Sequence, residues 1–398
     1  MMISEYEKGK TAFGVLTAMS VAHCLNDMMQ SMIMASYPLV KDELHLTFAQ
    51  IGLITLVYQI AASVFQPVVG MAFDRFPMSR SLQVGMGFSL AGIVALGWVS
   101  SLEGVLASVF LVGMGSSVIH PEASRITSLA SGGKRGLAQS IFQVGGNLGT
   151  SIGPLLIALL VAPYGRSNLS FFAVIAMTGI MVMNPVCRWF KSYLQASQAT
   201  ASSERRVERP LPLGVTVMSI SILLLLIFSK YIYMSSLSSY YTFYLIEKFG
   251  VSVSASQLYL CVFLVAMAIG TLLGGPLGDR IGRKYVIWFS ILGTAPFSLL
   301  MPYVGLEWTV ALSFCIGLVL SSAFPAILVY AQELLPYKLG LISGLFFGLA
   351  FGVAGMSSAV LGKMADIYGI ETVYRTVAYM PLLGMVTWFL PNLNKRKG

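Results

Sequence analysis

The sequence predicts an all-α integral membrane protein in which twelve transmembrane helices form two parallel repeats of six helices. Hydrophobic residues make up 56% of the chain and charged residues only 10%, and the mean hydropathy is +0.79, so the chain has too few charges for a soluble protein of this length. Apolar runs of about 20 residues, enough to cross roughly 30 Å of hydrocarbon as a helix, recur throughout. A charged segment that occurs once in each half predicts the repeat.

That charged segment reads GMAFDRFPMSR at 70–80 and GPLGDRIGRK at 275–284. Each copy lies between the second and third apolar runs of its half, which predicts two tandem halves of similar structure. A single offset superimposes three pairs of residues, namely Gly70 with Gly275, Asp74 with Asp279, and Arg75 with Arg280.

The apolar runs also predict where each helix lies. In the first half we expect helices at 11–37, 48–73, 80–100, 104–129, 135–162 and 168–190. In the second half we expect them at 213–245, 254–278, 284–304, 308–334, 339–364 and 371–391. Residues 192–212 contain Gln, Ala, Ser, Glu and Arg without an apolar period, which indicates a cytoplasmic linker between six-helix bundles at 1–191 and 213–398.

The distribution of basic residues predicts the orientation. With both termini in the cytoplasm, the cytoplasmic side receives Lys8, Lys10, Arg75, Arg80, Lys134, Arg135, Arg188, Lys191, Arg205, Arg206, Arg209, Arg280, Arg283, Lys284, Lys338, Lys395, Arg396 and Lys397. The other side receives only Lys41, Arg166, Lys248, Lys363 and Arg375. This positive-inside pattern supports that orientation, and it accounts for the net charge of +9 without a nucleic-acid partner. We expect no removable signal peptide, because no cleavage site precedes the first apolar run.

Several classes of site are not indicated. The four cysteines, Cys24, Cys187, Cys261 and Cys315, are scattered in apolar surroundings, with the spacing of neither a disulfide framework nor a metal site. A membrane enzyme or a receptor is disfavoured, because we find no phosphate-binding loop, nucleotide fingerprint, nucleophile motif or output module. We therefore expect no metal, no cofactor and no direct use of ATP.

The first helix carries the candidates for proton coupling. An ionisable group inside a membrane helix costs about 2.5 kcal/mol or more on insertion scales, so each one is a functional candidate. His23 and Asp27 are four residues apart and share a helix face, with Asn26 and Gln30 beside them. Asp27 could carry a proton in a wet cavity, with His23 tuning it. The alternative is a buried hydrogen-bonded pair that only holds the first helix against a neighbour.

The seventh helix carries the candidate for anion binding. Lys230 lies near the middle of the predicted span, too deep to extend its ammonium easily to the membrane surface. We therefore expect it to meet a substrate or a counter-ion, with Tyr240 and Tyr241 supplying hydroxyl donors.

The fourth and fifth helices contain further polar groups. Glu122 and Arg125 follow His120 and are three residues apart, so they can pair on one helix face. Two interpretations stay open: proton coupling by Glu122 with substrate binding by Arg125, or a gate latch formed by both. Gln143 and Asn147 lie on a polar stripe of the fifth helix, which must face protein or a water-filled path, and they are candidate substrate donors.

The charged segment, G-x-x-x-D-R-x-G-R-K, resembles the loop signature of the major facilitator superfamily of secondary transporters. The match in the second half is complete, with Gly275, Asp279, Arg280, Gly282, Arg283 and Lys284, whereas 76–79 replaces the Gly-Arg continuation in the first half. The resemblance implies that the two segments act as gates or hinges, through Asp74, Arg75, Asp279, Arg280 and Arg283.

A glycine motif of the fifth helix indicates the direction of transport. Gly149, Gly153 and Pro154 resemble the G-x-x-x-G-P motif that the superfamily associates with antiporters. A closely packed, kinked helix of this kind limits leakage between states, so the motif favours antiport over symport or uniport.

Longer stretches resemble the bacterial fosmidomycin resistance transporters. They are LNDMMQS at 25–31, GSSVIHPEASR at 115–125, GLAQSIFQVGGN at 136–147, IFSKYIYM at 227–234 and ILVYAQELLP at 327–336. The resemblance implies a monomer in the inner membrane that exports small anionic drugs such as fosmidomycin or fosfomycin by alternating access, with protons as the coupling ion. The alternative is a transporter of the same superfamily that imports or exports an endogenous small anionic or sugar metabolite.

Overall fold

The computed structural model describes residues 9–46, 48–161, 163–200 and 212–393. Over these residues the chain forms twelve long helices and no strand, which confirms the prediction of an all-α chain. Some predicted features lie outside the described residues, namely 201–211 of the linker and the basic residues Lys8, Arg205, Arg206, Arg209, Lys395, Arg396 and Lys397.

The helices follow the predicted order. The first six are α1 (Phe13–Ala35), α2 (48–75), α3 (Ser81–Leu96), α4 (Leu102–Leu129), α5 (Arg135–Val161) and α6 (166–200). The last six are α7 (Leu213–Phe249), α8 (Val253–Ile281), α9 (Arg283–Tyr303), α10 (Leu306–Leu334), α11 (Leu339–Tyr368) and α12, which consists of an α-helix (Ile370–Val377) and a 3₁₀ helix (Met380–Phe389). A short helix, Tyr37–Glu43, follows α1. In the described part of the chain, nine helices are long and apolar enough to cross a membrane, judged by length and composition, and α3 is a shorter apolar helix.

Several helices extend beyond their predicted ends, by two to four residues in α2, α7, α8 and α11 and by ten in α6. We predict an end at residue 190 for α6, but the helix continues to Thr200. Residues 191–200 contain neither Gly nor Pro and include Leu, Gln and Ala, which favour helix. We predict an end at residue 245 for α7, which continues to Phe249. There Gly250, with a φ of 65°, provides the left-handed residue that ends many helices.

The chain divides into two units by its internal contacts. The first unit contains Met1–Arg209 and Leu335–Gly348, and the second contains Pro210–Leu334 and Leu349–Gly398. The beginning of α11 therefore belongs to the first unit. The division into bundles at 1–191 and 213–398 stays a prediction.

The core of the first unit is built around α4, in which every residue from 115 to 128 is buried. Beside it, α5 packs along α1. A Cβ atom on Gly149 would lie 2.0 Å from the carbonyl oxygen of Cys24, and one on Gly153 would lie 2.0 Å from Ser31 Oγ. Only glycine fits at these two positions, so the G-x-x-x-G spacing allows the two helices to approach closely. Pro154 follows with an exposed side chain.

A second glycine contact joins α2 to the beginning of α11. A Cβ atom on Gly70 would lie 2.0 Å from the carbonyl oxygen of Gly340, and one on Gly344 would lie 2.2 Å from the carbonyl oxygen of Gln66. The two helices therefore meet backbone to backbone at these glycines.

Candidate functional site

Three buried side chains form the centre of the candidate site in the first unit. His23 and Asp27 come from α1 and His120 from α4; both histidines are 0% exposed and Asp27 is 7% exposed. His23 Nε2 lies 3.1 Å from Asp27 Oδ2, and His120 Nε2 lies 3.1 Å from Asp27 Oδ1. We call His23, Asp27 and His120 the triad. The predicted pairing of His23 with Asp27 is thus present, and His120 adds a third member.

Amide side chains complete the surroundings of the Asp27 carboxylate. Asn26 Nδ2 donates to Asp27 Oδ1 over 3.1 Å, and Gln30 Nε2 donates to the same oxygen over 3.2 Å. Gln30 Oε1 in turn accepts from the Tyr58 hydroxyl over 2.6 Å and from Ser116 Oγ over 3.1 Å. The carboxylate therefore has several donors, which reduces the free energy that its burial costs.

The other ring nitrogen of each histidine faces a backbone carbonyl group. His23 Nδ1 lies 2.8 Å from the carbonyl oxygen of Phe142, and its ring stacks on the Phe142 ring at a centroid distance of 4.0 Å. His120 Nδ1 lies 3.0 Å from the carbonyl oxygen of Ser116 and 3.1 Å from Ser116 Oγ. A Cβ atom on Gly146 would lie 2.5 Å from His23 Nε2, so α5 needs glycine there.

The triad is also close enough to hold a metal ion, which the sequence does not predict. Among the described residues, it is the one group of three or more His, Cys, Asp or Glu side chains whose potential ligand atoms all lie within 4.8 Å of one another. The two contacts of Asp27 have the length of hydrogen bonds.

A buried ionic cluster lies further along α4. Arg125 Nη1 donates to both carboxylate oxygens of Glu122, over 3.2 and 3.0 Å, and Arg125 Nε lies 3.4 Å from Asp74 Oδ1. Ser81, at the start of α3, donates to Glu122 over 3.2 Å. Arg125 therefore bridges two carboxylates, one from its own helix and one from the first charged segment. Arg75, beside Asp74, is exposed.

Asp74 also caps the beginning of α11. Its two carboxylate oxygens accept from the backbone N–H groups of Gly340 and Leu341, each over 2.9 Å. The first N–H groups of a helix have no partner inside the helix, and the N-terminus carries a partial positive charge. The Asp74 carboxylate of α2 therefore gives the first N–H groups of α11 a hydrogen-bond acceptor and places a negative charge at its positive end. We call this contact the α2–α11 latch.

Residues of the polar stripe on α5 differ in their contacts. Gln139 Nε2 donates to the carbonyl oxygen of Ser124 over 2.8 Å, which joins α5 to α4. Gln143 and Asn147 are half-buried. The stripe therefore holds helices together at one end.

In the second unit, Lys230 is buried, with an exposed fraction of 4%. Its Nζ lies 5.0 Å from the ring centroid of Tyr231 and 5.3 Å from that of Phe324 in α10. No carboxylate among the described residues lies within ion-pair distance of this ammonium group. The aromatic faces offer a cation some stabilisation, but they leave its charge uncompensated.

The tyrosines that follow Lys230 donate to other helices. The hydroxyl of Tyr240 donates to the carbonyl oxygen of Ser358 over 2.5 Å. The hydroxyl of Tyr241 donates to Ser313 Oγ over 3.0 Å. Both hydroxyl groups therefore already have an acceptor within the protein.

The second charged segment forms its own ionic cluster. Arg283 Nη2 lies 2.8 Å from Asp279 Oδ1, and Arg283 Nε lies 3.3 Å from Glu333 Oε2. Arg280 is exposed. In each copy of the segment, the aspartate therefore contacts a buried arginine.

Between the spans, Glu43 and Arg166 form a bidentate ion pair. Arg166 Nε and Nη2 each donate to a carboxylate oxygen of Glu43 over 2.9 Å, and Nη1 donates to the carbonyl oxygen of Leu96 over 3.0 Å. The hydrogen bonds from Arg166 hold the pKa of Glu43 below its ordinary value. The pair ties the short helix to the ends of α3 and α6.

Comparisons with known proteins agree with this architecture. The family model of the Major Facilitator Superfamily matches residues 19–259 and 223–398. The chain is 55% identical to the fosmidomycin resistance protein of Escherichia coli (strain K12) over 390 residues, covering 98% of this chain and 95% of the relative. It is 38% identical to the uncharacterised transporter YfnC of Bacillus subtilis (strain 168), covering 97% and 95% of the two chains.

A solved structure confirms the predicted fold class. The transporter FucP, in the outward conformation, superimposes with a TM-score of 0.71 at 15% sequence identity, covering 97% of this chain and all of the other. At that identity the likeness concerns the fold, which is the twelve-helix fold of these transporters. The chain therefore belongs to the major facilitator superfamily, and within it to the family of the fosmidomycin resistance protein.

Proposed function

We propose that this protein exports small anionic phosphonates, such as fosmidomycin or fosfomycin, in exchange for protons. The similarity to the fosmidomycin resistance protein over nearly the whole chain supports this substrate class. The proposal includes a monomer in the bacterial inner membrane with both termini in the cytoplasm, acting as a transporter and not as an enzyme.

The burial of Lys230 carries the proposal for the substrate. An ammonium group buried without a counter-ion is costly, so a bound anion would lower its free energy. Phosphonate oxygens accept strong hydrogen bonds from a cation. Gln143 and Asn147 stay predicted hydrogen-bond donors to the substrate. Tyr240 and Tyr241 would contribute ring surface, because their hydroxyls already donate within the protein.

The triad supports proton coupling at Asp27 and His23. A coupling acid must be stable both with and without its proton. The donors around Asp27 stabilise the carboxylate, while His23 offers a second position for the proton 3.1 Å away. Gly149 and Gly153 keep α1 against α5 beside this pair, which would limit leakage of protons, and Pro154 would kink α5.

The contacts of Glu122 and Arg125 support the gate latch over the binding site. Arg125 donates to Glu122 and approaches Asp74, and Asp74 holds the α2–α11 latch. A proton on Glu122 would weaken its bond to Arg125 and leave that cation to Asp74 alone. We propose that proton coupling at Glu122 acts on the latch in this way, with Arg75 at its exposed edge.

We propose that the second charged segment, at 275–284, also acts as a gate. Asp279 and Arg283 are paired, and Arg283 also reaches Glu333. These contacts support a second gate, with Arg280 at its exposed edge. Substrate-loaded and proton-loaded forms would alternate as these gates open and close, and inward proton movement would supply the free energy.

The test is drug-driven proton flux in proteoliposomes that hold the purified protein under an imposed pH gradient, read with a pH-sensitive dye. We expect fosmidomycin or fosfomycin to dissipate the gradient with the wild-type protein. Lys230→Gln and Asp27→Asn should each abolish the response.

A matched control lies on α11. Lys363 is exposed, so Lys363→Gln removes the same charge as Lys230→Gln outside the proposed sites, and it should respond as the wild type does. If neither drug moves protons while another small anion or a sugar does, the alternative of an endogenous metabolite replaces the drug substrate.

A further inference from the structure

Both histidines of the triad face a backbone carbonyl group with Nδ1 while Nε2 faces Asp27. His23 Nδ1 lies 2.8 Å from the carbonyl oxygen of Phe142, and His120 Nδ1 lies 3.0 Å from that of Ser116. A carbonyl oxygen can only accept, so each Nδ1 carries a hydrogen. A neutral imidazole has a single ring hydrogen, so each neutral ring presents the lone pair of its Nε2 to the Asp27 carboxylate.

The Ser116 hydroxyl is compatible with this arrangement. Its oxygen lies 3.1 Å from His120 Nδ1, and the hydroxyl donates to Gln30 Oε1 over 3.1 Å. While it donates to Gln30, its oxygen can accept from His120 together with the carbonyl oxygen of Ser116. The two histidines of the triad therefore present the same atom, a lone pair on Nε2, to Asp27.

Lone pairs from three side chains thus converge between α1 and α4. Each Nε2 lies 3.1 Å from a different carboxylate oxygen of Asp27. Acceptors that face one another in a buried site are costly unless a positively charged group lies between them. Two protons, one for each contact, would supply that charge, and so would one divalent cation. The single cation would contact all three side chains at once.

The distances suit a metal ion of the size of Zn²⁺. Bonds of about 2.0–2.2 Å from zinc to nitrogen and oxygen place neighbouring ligand atoms about 2.8–3.5 Å apart, a range that includes both 3.1 Å contacts of Asp27. The potential ligand atoms of the triad all lie within 4.8 Å of one another, so small rotations of the imidazole rings would bring both Nε2 atoms to one ion.

Gly146 of α5 keeps space open beside the potential ligands. A Cβ atom at this position would stand 2.5 Å from His23 Nε2 and 2.8 Å from Asp27 Oδ2. Any larger residue would therefore fill the space next to two of the ligand atoms.

The groups behind the triad have the arrangement found in metal sites. A ligating histidine usually donates its other N–H to a carbonyl or carboxylate oxygen, and a ligating carboxylate is itself hydrogen-bonded. Here the carbonyl groups of Phe142 and Ser116 hold the two rings. Asn26 and Gln30 both donate to Asp27 Oδ1. These contacts orient all three ligands before an ion arrives.

The ligand set indicates which ion would bind. Two imidazoles and one carboxylate suit Zn²⁺, Co²⁺ and Ni²⁺, whereas Mg²⁺ and Ca²⁺ prefer sites made of oxygen atoms. We propose that the triad binds one divalent transition-metal ion, represented by Zn²⁺, which joins α1 to α4 and blocks proton coupling. The block rests on the proposed function, because the ion occupies the lone pairs of Asp27 and His23 to which that function assigns the proton. The binding itself does not rest on it.

Calorimetric titration of the purified full-length protein tests the binding. Its affinity tag is removed, and a chelator strips any metal before being dialysed away. We expect one Zn²⁺ to bind per chain and Mg²⁺ not to compete. Loss of a hydrogen-bonding group behind a ligand weakens metal binding by about 10- to 100-fold, so loss of a ligand in His120→Gln should weaken it by more than about 100-fold.

The matched control is His45→Gln. The chain contains three histidines, and His45 is the exposed one outside the triad. This variant should bind Zn²⁺ as the wild type does. Equal affinity of the wild type and His120→Gln, or loss of binding in His45→Gln, would overturn the metal site.

X-ray absorption at the zinc edge tests the ligands without any substitution in the triad, so its result does not depend on how a variant folds. With one equivalent of Zn²⁺, the wild type should show two imidazole ligands at about 2.0–2.1 Å and at least one oxygen ligand. His45→Gln should give the same spectrum. A wild-type spectrum with fewer than two imidazole ligands would overturn the metal site.

Drug-driven proton flux in proteoliposomes tests the block. We expect Zn²⁺ to stop the flux that fosmidomycin causes and a chelator to restore it, while empty liposomes keep their pH gradient in the same Zn²⁺ solution. Flux that continues with the site filled would overturn the block. Failure of the wild type to move protons with any drug in the absence of Zn²⁺ would refute the proposed function, while calorimetry and X-ray absorption would still decide the metal site.

Discussion

The α2–α11 latch predicts a measurable effect of Asp74→Asn. The asparagine side chain has the same shape but one acceptor oxygen, so one of the two N–H groups that Asp74 accepts at 2.9 Å loses its partner. A hydrogen bond to a charged group contributes about 1.5–3 kcal/mol, and a negative charge at a helix N-terminus adds about 0.3–2 kcal/mol. The latch should therefore weaken by roughly 2–5 kcal/mol.

Amide hydrogen exchange of the first turn of α11 measures this change directly. Since a factor of ten corresponds to about 1.4 kcal/mol, the Gly340 and Leu341 amides should exchange roughly 30- to 4,000-fold faster in the variant. Asp366→Asn, at an exposed position of the same helix, should leave their rates unchanged. Equal exchange in wild type and Asp74→Asn would refute the reasoning, because it would show that the carboxylate does not hold these amides.

Three further predictions concern stability. Gly149→Ala should lower the free energy of unfolding by about 1–3 kcal/mol, because its Cβ atom would overlap a carbonyl of α1. Gly87→Ala is the matched control, because a Cβ atom there would have nothing within 4 Å. Equal melting temperatures of Gly149→Ala and the wild type would contradict the packing argument. The Glu43 carboxylate should stabilise the protein at pH values above the ordinary pKa of a glutamate, because Arg166 lowers the pKa of Glu43 in the folded state. This contribution should vanish as the pH falls through the pKa of Glu43 in the folded state. A difference in stability between the wild type and Glu43→Gln that does not shrink on acidification would contradict this prediction. Lys230→Met should abolish fosmidomycin binding. Its melting temperature should equal or exceed that of the wild type, because the substitution removes an uncompensated buried charge. A large loss of stability would show that Lys230 has a structural partner.

The pattern of the sequence predicts helices well and contacts between helices poorly. The apolar runs locate all twelve helices, because crossing a membrane demands long continuous apolar segments. The end of α6 lies beyond the predicted end at residue 190, because no Gly or Pro interrupts residues 191–200. The pairing of His23 with Asp27 follows from their spacing on one helix face.

Residues that meet from distant parts of the chain were harder to predict. His120 lies on α4 and Asp27 on α1, and no spacing in the sequence indicates which face of α4 turns toward α1. The same holds for Asp74, whose acceptor role toward Gly340 depends on the approach of α2 to α11. One signal was present: His120 lies in a polar stretch of an otherwise apolar helix.

The glycine contact between α2 and α11 has a thermodynamic consequence. Gly70, Gly340 and Gly344 bring backbone against backbone, so separating the helices would expose mainly polar carbonyl groups to water. Apolar exposure raises the heat capacity and polar exposure lowers it, so this separation should involve only a small change in heat capacity. The free-energy difference between the joined and separated forms should then vary almost linearly with temperature, with little curvature.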